Sequence, residues 1–178
     1  MSDARGKRAS GACASQERLL EGRQFPAKEH QKLKSLLQAG QVEAFRQETG
    51  EACILSGYVV EGNRIGRTLG YPTANLGHAD PSQVLPGQGV YIVMVRVEGR
   101  WHEAMANIGI RPTIDAENVT IEAHIFDFNK DIYGKKMDIA FLSRIRDEMR
   151  FNSLSELKIQ LDRDALTARE LLSNIRWS

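Results

Sequence analysis

The sequence predicts a mainly β fold, a small closed antiparallel barrel with a helix packed on its outside. Short segments rich in β-branched and aromatic residues recur at 53–61, 90–97, 101–108, 120–128 and 136–142. Tight turns separate them and no helical crossover intervenes, so neighbouring strands are expected to pair antiparallel. Closure into a barrel would remove the exposed edges. After residue 153 the apolar spacing changes to the period of a helix.

The first 50 residues are predicted to precede the barrel domain, which we place at 51–178. Residues 1–25 are small and polar without any period, which indicates a disordered leader. Their Arg, Ala and Ser content also fits an organellar transit peptide, but Asp3, Glu17 and Glu21 argue against one. Residues 26–50 predict a helical lead-in outside the core, because an apolar stripe is interrupted by glycine stop signals: Leu33, Leu36, Leu37, Gly40 and Gly50.

The C-terminal helix has a clear start and a clear apolar face. Ser153 and Glu156 have the spacing of a capping box. Apolar residues then recur at helical spacing, and we expect them to dock the helix on the barrel: Leu154, Leu157, Leu161, Ala165, Ala168 and Leu172.

Composition limits the function classes. The 178 residues carry a formal net charge of +1, with basic residues gathered locally rather than in excess, which favours a small anionic ligand over nucleic acid. No stretch approaches the roughly 18 apolar residues of a membrane span. Two cysteines, Cys13 and Cys53, favour reduced thiols in a cytoplasmic protein. No Cys/His spacing indicates zinc.

A glycine- and arginine-rich loop at 62–70 precedes Pro72-Thr73-Ala74-Asn75. Glycines let a backbone approach phosphates closely, arginines supply positive charge, and Thr and Asn offer the oxygen ligands that Mg²⁺ prefers. Pro72 restricts the backbone just ahead of Thr73. The spacing differs from that of a Walker loop. The alternative, a simple bend whose Thr and Asn bond only their own backbone, stays open on these residues alone.

The segment 120–128 alternates as a strand does, so Glu122 and His124 share one face while Ile121 and Ala123 share the other. A carboxylate in a partly desolvated site could take a proton from a substrate hydroxyl. The strand by itself favours the alternative, a solvated face of an edge strand.

Six segments in one order resemble the riboflavin kinase (flavokinase) family, in the form fused to FAD synthetase in bacterial bifunctional enzymes. The resemblance covers about 53–172 and is carried by Gly62-x3-Gly66-Arg67-x2-Gly70-Tyr71-Pro72-Thr73-Ala74-Asn75, Gly89-Val90-Tyr91, Asn107-Ile108-Gly109-x-Arg111-Pro112-Thr113, Glu122-Ala123-His124-Ile125-Phe126-Asp127-Phe128, Asp131-Ile132-Tyr133-Gly134 and Ile145-Arg146-x-Glu148-x2-Phe151. It implies a six-stranded antiparallel barrel with the C-terminal helix against it. It also implies transfer of the ATP γ-phosphoryl to the 5′-hydroxyl of riboflavin, giving FMN and ADP.

The resemblance also implies roles for individual residues. Glu122 matches the catalytic base, and Thr73 and Asn75 match ligands of Mg²⁺, which Mn²⁺ or Zn²⁺ could replace. The matched ATP-binding residues are Gly62, Arg64, Gly66, Arg67, Gly70, Pro72, Thr73 and Asn75. The matched flavin-binding residues are Arg146, Glu148 and Phe151.

The sequence departs from the family pattern at two substituted positions and at one missing motif. Ile65 and Tyr71 replace a smaller or basic residue and a more common Phe, and no His-x-Gly-His motif for adenylyl transfer is present. We therefore expect a monomeric riboflavin kinase without FAD synthesis or a nucleic-acid partner. The alternative is a catalytically silent flavin- or nucleotide-binding barrel, although a pure binder would not need the carboxylate of Glu122.

Overall fold

The computed structural model describes residues 26–77, 82–112, 117–175 and 177. Six strands follow a pair of N-terminal helices, α1 (Ala27–Gln38) and α2 (Val42–Thr49). The strands are β1 (Cys53–Val60), β2 (Ala74–Gly77), β3 (Gly89–Val97), β4 (Arg100–Pro112), β5 (Glu117–Ile125) and β6 (Lys136–Arg146). A short helix, α3 (Ile65–Thr68), lies between β1 and β2, and α4 (Leu154–Leu172) follows β6.

The six strands form a closed antiparallel barrel in the order β1-β2-β5-β4-β3-β6, which confirms the predicted fold class. Consecutive strands pair directly at β3–β4 and β4–β5, and the two residues Glu98 and Gly99 make the turn between β3 and β4. The short strand β2 joins β1 to β5 and so completes the ring. Closure leaves no unpaired sheet edge in this part of the chain, as the run of short strands predicts.

The barrel interior and the two N-terminal helices share one apolar core. Inward side chains of every strand pack with four residues of the helical pair, each at most 2% exposed: Leu33, Leu37, Val42 and Phe45. The sequence predicted these helices as a lead-in outside the core. They belong to it because the apolar stripe of a short helical pair needs a surface to bury against, and the barrel provides one.

A second apolar layer lies between the outside of the barrel and α4. Its members come from the outer faces of β3, β4 and β6 and from Ala165, Ala168 and Leu172 of the helix. Strand β3 is therefore buried on both faces, which explains why its sequence is apolar almost without alternation. Leu154, expected on the docking stripe, is 58% exposed, because it occupies the first turn of the helix away from this layer.

The predicted capping box of α4 is present. The Ser153 hydroxyl accepts a hydrogen bond from the backbone N–H of Glu156 at 3.1 Å. In return, the Glu156 carboxylate accepts one from the backbone N–H of Asn152 at 2.9 Å. The first bond satisfies a backbone donor that the first turn of a helix leaves without an intrahelical partner, and the second holds the residue just before the cap.

Three boundaries differ from the sequence-based expectation. Residues 74–77 form a strand that the sequence did not predict, since four residues are too few to show alternation. Strand β4 continues past the predicted segment 101–108 to include Arg111 and Pro112. Strand β6 continues past the predicted segment 136–142 to Arg146, and its pairing with β3 contains register shifts.

Some expectations fall on residues that the structure does not describe. These are the leader at 1–25 with Cys13, together with Thr113 of the family motif. Within the described residues, none of the helices combines the length and the apolar character that crossing a membrane requires.

Candidate active site

The loop between β1 and β2 folds back on itself. The backbone N–H of Tyr71 donates to the carbonyl of Gly66 at 2.7 Å, and a Cβ at Gly66 would lie 2.2 Å from the carbonyl oxygen of Tyr71. A Cβ at Gly62 would lie 2.1 Å from the amide nitrogen of Asn75. These two close approaches require glycine and hold the loop against the start of β2. Gly70, with a φ of +83°, ends the turn after α3.

Strand pairing brings the three residues expected to do the chemistry together. Asn75 of β2 lies directly opposite Glu122 of β5. The Thr73 hydroxyl, just before β2, donates to the Glu122 carboxylate at 3.3 Å. Since Ala74 and Ala123 point into the barrel, Thr73, Asn75 and Glu122 all lie on its outer face.

Glu122 has further polar neighbours on β4. Asn107 lies opposite it in the register of β4 and β5, and the Arg111 guanidinium lies 3.6 Å from its carboxylate. The side chain of Glu122 is 28% exposed. The carboxylate is thus partly shielded from solvent, and the solvated edge-strand alternative does not describe it, because β5 is paired on both sides.

His124 lies two residues beyond Glu122 on the same face. Its Nδ1 is 2.8 Å from the carbonyl oxygen of Pro72, and its ring meets the rings of Tyr71 and Phe126 edge-on. Burial is the main influence that lowers the pKa of His124, and the hydrogen bond to Pro72 opposes it. The imidazole is therefore neutral near pH 7.

One cavity, here called the basic cleft, lies between the 62–70 loop and the turn before β6. It encloses about 400 Å³. Arg64, Arg67 and Lys130 line it with Pro72 and Thr73, and inward residues of the barrel form its floor. The Arg64 guanidinium lies 5.8 Å from the centre of the Tyr133 ring, across the cleft. This cleft combines positive charge with an apolar floor, which suits a nucleotide polyphosphate.

A second cavity, here called the apolar cavity, lies between the barrel wall and α4 and encloses about 280 Å³. Its apolar lining includes Ile65, Met105, Met149, Phe151, Leu157 and Leu161. Its polar lining includes Thr73, Asn107, Glu122, His124, Arg146, Glu148 and Asp164. A cavity with apolar walls and a few convergent polar groups is typical of a site for an aromatic small molecule.

The three expected flavin residues all line the apolar cavity, but Arg146 also has an internal partner. Its guanidinium makes a two-pronged ion pair with Asp164 of α4, with Nη2 to Oδ2 at 2.7 Å and Nε to Oδ1 at 3.0 Å. Asp164 is 2% exposed. The Arg146 guanidinium also lies 5.9 Å from the Phe151 ring, and the Glu148 carboxylate packs against Gly109. Arg146 therefore shapes the cavity from a fixed position.

The segment before Thr73 is tied to α4. The Tyr71 hydroxyl donates to Asp162 at 2.6 Å, and Lys158 donates to the same oxygen at 2.6 Å. Burial and then the bond to Asp162 raise the pKa of Tyr71 to about 12. The bonds from Lys158 and Tyr71 lower the pKa of Asp162. The expected loop and the C-terminal helix thus form one wall of the apolar cavity.

The donor set around Thr73 fits a hard divalent cation. The Thr73 hydroxyl and the Asn75 amide oxygen lie where β2 pairs with β5, next to the Glu122 carboxylate. Such oxygen donors suit Mg²⁺, which usually takes few protein ligands and completes its shell with phosphates and water. Clusters of three or more His, Cys, Asp or Glu side chains that could hold a metal are absent from the described residues.

Sequence reasoning missed several residues of this site. Asp164 was passed over because an aspartate in an amphipathic helix is usually solvated. In the sequence, Asn107 has no assigned role beyond its place in the family motif, and His124 is only a neighbour of Glu122 on one strand face. The alternation of β5 was the available signal for His124, whereas nothing local indicated that Asp164 would be buried.

A closed barrel whose two cavities meet at Thr73 can hold two small molecules side by side, which is the arrangement that a group-transfer enzyme requires. Residues 49–172 match the family model described as riboflavin kinase. The chain therefore belongs to the riboflavin kinase family and contains its kinase domain. Enzymes of this family use ATP to phosphorylate riboflavin to FMN.

Curated relatives agree with this assignment. The bifunctional riboflavin kinase/FMN adenylyltransferase of Bacillus subtilis (strain 168) is 37% identical over 147 residues, covering 81% of this chain and 46% of that protein. The protein of the same name from Escherichia coli (strain K12) is 44% identical over 122 residues, covering 68% of this chain and 38% of that protein. The chain spans less than half the length of these two relatives.

Solved structures share the fold. Riboflavin kinase from Trypanosoma brucei superposes with a TM-score of 0.51 at 25% identity, covering 67% of this chain and 76% of that chain. A Streptococcus pneumoniae protein described as a macrolide-efflux protein superposes with a TM-score of 0.74 at 37% identity, covering 83% of this chain and 46% of that chain.

Proposed function

We propose that this chain transfers the γ-phosphoryl group of ATP to the 5′-hydroxyl of riboflavin, giving FMN and ADP. Riboflavin occupies the apolar cavity and ATP occupies the basic cleft. The observation that carries this proposal is the position of Thr73, which lines both cavities and donates a hydrogen bond to Glu122. Two substrates bound on either side of Thr73 meet within reach of a carboxylate.

The basic cleft supports ATP binding through charge and close backbone approach. Arg64 and Arg67 project from a loop that Gly62 and Gly66 hold tightly against β2, so their positions are restricted. Phosphoryl transfer asks the protein mainly for positioning and for neutralisation of phosphate charge. The arginines of the 62–70 loop supply the charge, and Pro72 keeps the following residue in place.

The apolar cavity supports flavin binding through shape and lining. Phe151 and the leucines of α4 offer apolar surface to an isoalloxazine ring system. Glu148 and Arg146 offer a carboxylate and a guanidinium at the rim of that surface. The fixed pair between Arg146 and Asp164 keeps the wall of the cavity rigid, so little ordering is required when the ligand binds.

Thr73 and Asn75 would hold the metal ion that accompanies the nucleotide, with Mg²⁺ as the ion their oxygens fit. A bound Mg²⁺ supplies neutralisation of phosphate charge. Asn75 is kept in place by its contact with Gly62, and Thr73 by its bond to Glu122.

Glu122 acts as the general base in this proposal. Its carboxylate accepts the proton of the riboflavin 5′-hydroxyl as that oxygen forms a bond to the γ-phosphorus. The bond between the γ-phosphorus and the bridging oxygen breaks, and ADP leaves with the electron pair. Orientation of the hydroxyl matters as much as proton removal, because both reactants must be held in line.

The direct test is to incubate the purified chain with riboflavin, ATP and Mg²⁺ and to separate the flavins by chromatography. We expect FMN and ADP in equal amounts. Folded protein that binds riboflavin but forms no FMN would instead identify the silent flavin-binding barrel.

A further inference from the structure

We propose that His124 is a positioning residue of this site, whose imidazole fastens the Pro72 carbonyl and so holds the Thr73 hydroxyl at the junction of the two cavities. This inference rests on the proposed transfer between the basic cleft and the apolar cavity. His124 does not act on the substrates itself in this account. It acts through the peptide that carries Thr73.

The strand register shows why a side-chain hydrogen bond is needed to hold the peptide that carries Thr73. Strands β2 and β5 pair Asn75 with Glu122 and Ala74 with Ala123, and the pairing stops there. The next pair in the same register would place Thr73 opposite His124. Pro72 has no N–H to donate, and the chain turns away towards the 62–70 loop, so backbone pairing does not continue. Thr73 thus lies one residue beyond the last backbone pair that could hold it.

Beyond the last backbone pair, the side chain of His124 provides the next hydrogen bond between β5 and the chain leading into β2. Its Nδ1 reaches the carbonyl oxygen of Pro72 at 2.8 Å, on the peptide that links Pro72 to Thr73. A carbonyl oxygen can only accept, so Nδ1 carries the proton and donates. One hydrogen bond from β5 therefore extends the attachment of β2 by one peptide unit.

The imidazole is a rigid anchor for this bond. Its ring lies edge-on to Tyr71 and to Phe126, with ring centres 5.0 Å and 5.5 Å apart. Tyr71 is in turn bonded to Asp162 of α4. Contacts on both sides leave the ring little freedom, which makes it a fixed reference for the Pro72 carbonyl.

A competing role must be distinguished, because His124 lines the apolar cavity beside Glu122 and an imidazole can also act as a base. The two roles respond differently to asparagine. The side-chain amide of Asn can donate a hydrogen bond from about the position of Nδ1, but it cannot accept a proton near pH 7. His124→Asn therefore retains a positioning role and abolishes a role as a base.

The experiment compares His124→Asn, His124→Leu and the control His30→Leu, which alters a histidine of α1 that lines neither cavity. Steady-state kinetics are measured with ATP and with Mg²⁺ as the varied reactants, after circular dichroism confirms folding. We expect kcat/KM for ATP to fall by about 10- to 100-fold in His124→Leu, the usual effect of losing a residue that orients a ligand. We expect His124→Asn to stay within about threefold of the parent protein, as the control does.

Two results would overturn the inference: an Asn variant as impaired as the Leu variant, or a Leu variant with parental kinetics. A second measurement is independent of activity. Nitrogen-15 NMR of the histidines in the unaltered chain should show His124 as the Nδ1–H tautomer, and an Nε2–H tautomer would refute the proposed bond. Absence of FMN from the unaltered chain would contradict the proposed function, while the tautomer would still decide the role of His124.

Discussion

Glu122 lies between two asparagines, Asn75 on β2 and Asn107 on β4, at the centre of the polar strip on the outer barrel wall. Its strand neighbours point into the core, so the main chain at this position is fixed by packing on the opposite face. The carboxylate lines the apolar cavity, where the proposed function places the riboflavin hydroxyl. Its contribution to catalysis should therefore be separable from its contribution to binding.

We expect Glu122→Gln to lower kcat by about 10²- to 10⁴-fold, the usual contribution of a general base. The amide keeps the shape and the polar contacts of the carboxylate, so riboflavin affinity, followed by flavin fluorescence, should change by less than about threefold. Glu103→Gln is the matched control, because Glu103 is an exposed residue of β4 that lines neither cavity. An equal loss of turnover and affinity would show that Glu122 contributes to riboflavin binding and not to proton removal during phosphoryl transfer.

At the scale of secondary-structure elements, the link between β6 and α4 depends on the pair of Arg146 and Asp164. The two side chains are 17% and 2% exposed, and Gln160 adds a third hydrogen bond to Asp164 at 2.9 Å. Removal of one partner leaves a largely buried charge without compensation, which is costly. We expect Asp164→Ala to reduce the free energy of unfolding by about 3 kcal/mol, measured by urea denaturation at an unchanged m-value.

A surface ion pair of the same length provides the control. Lys32 and Glu48 are also 2.7 Å apart, but their side chains are 55% and 43% exposed. Glu48→Ala should cost less than about 1 kcal/mol, because water replaces the lost interaction. Similar losses for both variants would mean that burial does not govern the strength of the pair at Arg146.

The hydrogen bond between Tyr71, just after the 62–70 loop, and Asp162 of α4 gives a prediction about pH. The folded pKa of Tyr71, about 12, lies above its unfolded value of about 10. The folded state therefore holds this proton more tightly, and the stabilisation is complete below pH 10 and declines as the pH rises from 10 towards 12. Tyr71→Phe lacks this proton, so its stability should decline less between pH 10 and pH 12 than that of the parent protein.

Thermal unfolding of both proteins between pH 9 and pH 11.5 would measure this difference. Groups that the two proteins share cancel in the comparison. We expect the melting temperature of the parent protein to exceed that of Tyr71→Phe at pH 9 and the gap to narrow above pH 10. A gap that stayed constant with pH would contradict the role of the Tyr71 hydroxyl in the link to Asp162.

At the scale of the whole molecule, the sequence predicted the helices and strands better than the contacts between them. The barrel, the capped helix and the polar face of β5 follow from alternation, turn residues and helical spacing, which are local properties. The pairing of Asn75 with Glu122 joins residues far apart in sequence, and only the resemblance to a known family placed them together. The alternation of β5 alone favoured a solvated face.

Two further features depended on packing that no local pattern encodes. Asp164 is buried because α4 lies directly over Arg146, and a helical aspartate carries no sign of such a partner. The N-terminal helices were expected to stand apart because glycine stop signals interrupt their apolar stripe. Their burial follows from packing against the inward side chains of the closed sheet, which residues 26–50 do not reveal by themselves.

The N-terminal helices and the barrel should consequently unfold as one unit, although the family match begins only at residue 49. Phe45 is 2% exposed and packs in the same core as the inward side chains of the strands. We expect Phe45→Ala to lower the free energy of unfolding by about 3–5 kcal/mol, since the cavity it leaves lies in the shared core. The exposed Gln47 of the same helix provides the control, and Gln47→Ala should change stability by less than about 0.5 kcal/mol.

Circular dichroism at a helical wavelength and tryptophan fluorescence distinguish one unit from two. Trp101 of β4 reports on the barrel, whereas α1 and α2 contribute to the helical signal. In a single cooperative unit, Phe45→Ala moves both transitions to the same lower urea concentration. If the tryptophan transition stayed at the parental midpoint while the helical signal fell early, the helices would be a separate lead-in, as the sequence alone suggested. The shared core argues for coincident transitions, because the barrel cannot lose the helices without exposing its interior to water.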